Sequence, residues 1–252
     1  MADWSARLRA AGIHLVISIA IGLLAAALVF LVWYPYPYHQ ISGGRELFGI
    51  LVAVDVVIGP AITFGIFNRK KPPRELALDL TLVALLQLAA LGYGLWTVAV
   101  ARPVHLVFEV ERLRVVHAVD IPDELLGREP PGIDALPWKG PTPLAVRPFR
   151  DAQEEADSTV AALGGISLSA RPDLWETYDQ ARPRILRAAK PIAQLRNRPG
   201  INAVELDAQL RRTGRDPAQL AYLPVVSRKN FWTALIDRET ADVVGFLPLD
   251  SF

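Results

Sequence analysis

The sequence predicts a membrane-anchored α+β protein, with three N-terminal transmembrane helices followed by an α+β domain built on a mainly antiparallel sheet. Two observations carry that expectation. Three apolar stretches, about Ile13–Trp33, Leu47–Phe67 and Leu76–Val100, crowd the first hundred of 252 residues. Each is long enough to cross the ~30 Å hydrocarbon core of a bilayer, which takes roughly 20 helical residues. After Arg102 such stretches cease, and short alternating and helical patterns replace them. The expected division is therefore 1–101 as anchor and 102–252 as the extramembrane domain.

The first stretch follows Arg7 and Arg9 and so imitates a signal peptide. Its small run Ala25-Ala26-Ala27 is followed by six more apolar residues, Leu28 to Trp33. A cleavable apolar region is shorter, so a retained anchor is expected. The loop from Asn68 to Glu75 carries four basic side chains, whereas Tyr34 to Glu46 carries Arg45, Glu46 and a cluster of tyrosines after Trp33. Basic loops stay cytoplasmic, and Trp/Tyr clusters mark the interface. The N-terminus and the 68–75 loop are thus expected inside, and everything after Arg102 in the periplasm.

The second stretch holds two costly features. A carboxylate at Asp55 costs a few kcal/mol near mid-bilayer unless it faces protein. Gly59-Pro60 deprives the Val56 carbonyl of its helical donor and predicts a kink. Depth along the helices suggests two polar layers, Asp55 with Tyr93 and Gln87 with Ser18. Asp79, one turn into the third stretch and near Lys71 and Arg74, is expected to reach the interface.

Past Arg102-Pro103, alternation over Val104 to Glu111 predicts a strand leaving the third span almost without a linker, which would hold it against the membrane surface. Residues 121–150 hold seven prolines and no sustained period, and predict a long exposed loop. Trp138 and Phe149 within it are expected to fasten it to the domain, or to offer Trp138 to a partner. Helices are predicted at about Ala152–Leu163, Pro172–Ile192 and Asn202–Arg212, stopped by Gly164-Gly165, Pro199-Gly200 and Gly214. Strands are predicted at Ala221–Val226, Phe231–Asp237 and Val243–Leu247, the last two forming a hairpin. Runs of helices beside a strand meander give the α+β assignment.

Composition excludes several classes. The first 101 residues carry seven Lys/Arg against five Asp/Glu and the remainder 20 against 21, so neither half has the basic excess of a nucleic-acid binder. There is no cysteine, hence no disulfide and no thiolate chemistry. No nucleophile elbow, phosphate loop or His-Glu-x-x-His is present. His105 and His117 lack a third ligand, and the acids are dispersed. No catalytic, cofactor-binding or metal-binding residue is expected, and binding fits better than catalysis. The basic stretch Arg182 to Arg198 reads as a solvated face, or as a surface for anionic lipid or an acidic partner.

Gly12-Ile13-His14-Leu15, Phe30 to Pro35, Ala53 to Pro60, Leu85 to Gly94 and Arg102 to Phe108 resemble the TfpX/TfpZ family of type IV pilin accessory proteins. Over Tyr222-Leu223-Pro224-Val225 and the closing hairpin the resemblance is looser. It implies an inner-membrane, non-enzymatic chaperone or modulator of pilus assembly, with pilin and the assembly machinery as partners and no cofactor. His105 stands where an aromatic residue is expected in many relatives. On this resemblance Asp55, Gly59, Pro60, Gln87 and Tyr93 would receive the pilin helix, and Trp138 would read its head. Small residues such as Gly49, Ala53 and Gly59 allow close helix approach. Two other classes remain: a membrane-tethered sensor binding a periplasmic ligand, and a pilin-modifying enzyme.

Overall fold

A computed structural model describes residues 4–198 and 201–252; the Pro199-Gly200 stop lies outside them. The chain divides into two compact units, 1–101 and 102–252.

The described residues of the first unit contain three helices long and apolar enough to cross a membrane: Trp4–Trp33, Gly44–Ile66 and Pro73–Val100. The first begins nine residues before its apolar stretch because Trp4–Gly12 holds no proline and is rich in Ala and Arg. Two of the helices widen locally into π turns, at Leu28–Trp33 and at Ala53–Ile58. The second widening directly precedes Gly59-Pro60. Pro60 offers no N–H to the carbonyl one turn back, and its ring crowds that carbonyl, so the helix gains room by a wider turn. The first and third spans each pack on the second far more closely than on one another. At the start of the third span, Lys71 Nζ bridges Asp79 (2.6 Å) and Glu75 (3.3 Å), so Asp79 is held by a cation.

Among the described residues of the second unit, eight strands form one sheet in the order β4-β3-β1-β2-β6-β7-β8, with β5 also paired to β6. They are β1 (Pro103–Glu109), β2 (Arg112–His117), β3 (Thr142–Val146), β4 (Trp175–Thr177), β5 (Lys190–Pro191), β6 (Leu220–Val226), β7 (Phe231–Asp237) and β8 (Val243–Leu247). The sheet is mixed, which corrects the expectation of a mainly antiparallel one. β1–β3 and β2–β6 run parallel, and both pairings join segments far apart in sequence. β1 is flanked by strands on both sides and every one of its residues is buried. The alternation read from the sequence therefore describes two covered faces.

The 121–150 segment is also not loop throughout. It ends in β3, an interior strand, and Phe149 packs on the adjoining core. The helix expected over Pro172–Ile192 resolves into a short turn, β4, the helix Tyr178–Ala188, β5 and the helix Ile192–Arg196. Ala152–Leu163 forms as expected, with Asp151 accepting a hydrogen bond from Glu154 N at 2.8 Å as its cap. Among the described residues, two apolar clusters lie against the sheet. One gathers Val104, Val107, Val116, Leu144, Leu174 and Trp175; the other gathers Ile192, Leu195, Leu206, Leu210, Tyr222 and Leu235.

Candidate functional site

The most unusual polar arrangement lies inside the apolar helices. Asp55 is the central residue of Gly44–Ile66, sits within the π turn and is 8% exposed. Its Oδ1 is buried and makes no hydrogen bond among the described residues. Around it the three spans converge. Gln87 Nε2 donates to the Asp55 backbone carbonyl at 3.2 Å. His14 Nδ1 on the first span lies 2.6 Å from Thr63 Oγ1 on the second. Ser18, one turn after His14, is buried on the same side. A cleft of about 220 Å³ opens here, with His14, Ser18, Asp55 and Gln87 among its lining residues and Ala84 and Leu91 as apolar walls.

Gly59 is what lets the third span close on the second. A Cβ there would stand 1.8 Å from Gln87 Nε2. Gly59→Ala is therefore expected to push the Gln87 amide off the Asp55 carbonyl, costing about 1–2 kcal/mol for the stranded acceptor. In a Gln87→Ala background the same change should be nearly neutral. Thermal unfolding of the single and double variants in detergent checks this, and additive losses would refute it.

The expected Asp55–Tyr93 layer does not form. Tyr93 is 70% exposed, with its ring 5.7 Å from that of Trp96. Six residues separate it from Gln87, which places the two about 120° apart around the helix. Gln87 takes the Asp55 side and Tyr93 points outward. Gln87 and Ser18 do line one cleft, while Gly59 and Pro60 are buried within the bundle. His14 was not singled out from the sequence as a site residue. The available signal was its spacing of four from Ser18, which puts both on one helix face.

In the second unit, His105 and Glu109 are buried polar groups held by their neighbours. His105 Nε2 donates to the Ala135 carbonyl at 3.0 Å, and its Nδ1 lies 2.7 Å from Thr142 Oγ1. Burial pushes its pKa down to about 4. Glu109, 2% exposed, accepts Arg112 Nε at 2.9 Å, Arg114 Nε at 2.8 Å and Ser169 N at 3.3 Å. Burial alone would raise its carboxyl, but Arg114 and Arg112 hold it below the ordinary value. His105 and His117 do not face one another, because His105 pairs with Val116. Among the described residues no group of three or more His, Asp or Glu is placed to hold a metal ion.

The basic stretch is largely engaged within its own domain. Arg182 binds Asp179 and Asp242 (2.7 Å each), Arg184 binds Glu176, Arg196 binds Asp207, and Arg198 reaches the Ser251 carbonyl. Trp138 is 63% exposed on its loop.

A profile for the family described as fimbrial assembly protein FimB matches residues 2–43. The fimbrial assembly protein of Dichelobacter nodosus serogroup I is 32% identical over 250 residues, covering 96% of this chain and 94% of its own length. The chain belongs to the fimbrial assembly protein family. The D. nodosus serogroup E1 member is likewise 32% identical, over 245 residues, with coverage of 96% and 94%. The fimbrial assembly protein of serogroups C1 and C2 is 40% identical over 110 residues, 44% of this chain and 84% of that protein. No solved structure matches. Since the full-length members match on both sides of Arg102, the family relationship takes in the apolar helices with Asp55 as well as the mixed-sheet domain.

Proposed function

We propose that this protein acts in fimbrial assembly as a non-enzymatic accessory factor of the TfpX/TfpZ kind, binding type IV pilin subunits in the bacterial inner membrane and modulating their entry into the pilus. The three spans anchor it, with the N-terminus cytoplasmic and the second unit periplasmic. The observation that carries the reading is the cleft among the apolar helices lined by Asp55, in a chain whose fimbrial assembly relatives match it nearly end to end.

A pilin combines a membrane helix with a globular head, and a binder of both ends needs a membrane face and an extramembrane domain. Asp55, Gln87 and the closely packed Gly59-Pro60 segment supply the first, and the exposed Trp138 loop the second. The reading assigns the protein binding and no step of chemistry. Asp55→Leu should leave the protein inserted but lower its co-purification with pilin several-fold. Unchanged recovery would remove Asp55 from pilin binding.

A further inference from the structure

The cleft has a direction. It is bounded by the first span on one side and the third on the other, with the second as its floor. Its rim residues Ile17 and Leu88 are 52% and 58% exposed, so the mouth faces sideways, where lipid would lie. Asp55 stands at the centre of its span, roughly 16 Å from either end, beyond the reach of lipid headgroups. Asp55 lines the cleft and keeps 8% of its surface open, its Oδ1 is buried without a hydrogen-bond partner among the described residues, and acyl chains supply no donor. At about 220 Å³ the cleft is smaller than a typical small-molecule site and suits a side chain projected from outside. Ala84 keeps one wall low enough for a neighbouring backbone to approach.

We infer that the cleft between the first and third spans receives one transmembrane helix of a partner protein, which lays along the mouth and projects a hydrogen-bond donor onto the Asp55 carboxyl at mid-membrane depth. The inference deepens the proposed pilin site and rests on the helices being membrane spans, but it specifies the chemistry of the partner helix rather than its name. The complementarity is single-sided. Asp55 needs a donor, its own backbone carbonyl is already served by Gln87, and His14 is engaged with Thr63.

The test uses the full chain in phosphatidylcholine vesicles with two dye-labelled synthetic Leu/Ala transmembrane helices, identical except for a central Asn or Leu. Energy transfer from a donor dye on the protein should report at least about fivefold tighter association of the Asn helix. Asp55→Leu should erase that preference, whereas Tyr93→Leu, on the outward face, should keep it. Equal binding of the two helices, no binding of either, or a preference that survives Asp55→Leu would overturn the inference. So would energy transfer between two labelled copies of this protein that Asp55→Leu abolishes, because the cleft would then be filled by a second copy. If the Asn helix is preferred while pilin recovery is indifferent to Asp55, the pilin reading fails and this one stands.

Discussion

Trp175→Ala is expected to cost the second unit about 3–5 kcal/mol, a large part of the stability of a domain this size. Trp175 is 1% exposed, and its indole N–H donates to the Ser169 carbonyl at 2.8 Å. Its ring meets that of His105 edge-on at 4.7 Å, and the residue belongs to β4, which pairs with β3 through Val146. Removing it empties the cluster between β1, β3 and the 168–174 turns and strands the Ser169 carbonyl. Circular dichroism of the full chain in detergent should show the sheet melting roughly 6–20 °C earlier, with the apolar helices intact. Trp175→Phe retains most of the ring and should lose only about 1–2 kcal/mol, for the stranded acceptor. A melting point within about 2 °C of the parent for Trp175→Ala would mean that this cluster does not hold the sheet together.

That residue also shows what the sequence concealed. Trp175 lies inside a stretch whose pattern reads as one long helix, and nothing local marks the three-residue strand it forms. The parts that were legible had local causes. Ala152–Leu163 is bounded by a capping Asp151 and by Gly164-Gly165, and β7 and β8 are neighbours joined by the short connection Arg238 to Asp242. β3 was hidden by Pro141, Pro143 and Pro148, since proline argues against an interior strand. The structure admits Pro143 because β4 pairs only with Leu144, Ala145 and Val146, leaving that side of β3 open at the proline. Val110 was read as a strand residue but turns the β1–β2 hairpin at φ +56°, a conformation that no Asn-Gly or Asp-Gly pair announces here.

The cleft among the apolar helices was legible in part for the same reason. Asp55 and Gly59-Pro60 are anomalies visible in any apolar run, and Gln87 follows from depth. Which face each helix presents was not fixed by depth alone, so Tyr93 was matched to Asp55 when rotation assigns that role to Gln87. The parallel pairings β1–β3 and β2–β6 depend on contacts between distant segments, to which local periodicity is blind.

Acidification is expected to loosen the second unit between about pH 6.5 and pH 4, with His105 as the main cause. In the fold His105 is neutral, buried and held through both ring nitrogens, and burial pushes its pKa down to about 4. In the unfolded chain it titrates near the ordinary value of ~6.5. Between those values the unfolded state binds a proton that the folded state refuses. The contribution is therefore complete above about pH 6.5 and drains away as pH falls, by about 1.4 kcal/mol per unit and roughly 3 kcal/mol in all. His117, also held below its ordinary value by burial, acts in the same direction.

Glu109 behaves as a carboxylate held low. Its contribution is present above its unfolded pKa and is lost only as pH falls further, through its depressed folded value, which steepens the most acid part of the curve. Guanidinium midpoints followed by tryptophan fluorescence at several pH values measure the slope. His105→Phe keeps an aromatic against Trp175 but strands the Ala135 carbonyl, so it should be about 1–2 kcal/mol less stable at pH 7 and yet flatter from pH 6.5 to 4. Parallel curves for the variant and the parent would assign the acid sensitivity to other groups and leave His105 a packing residue only.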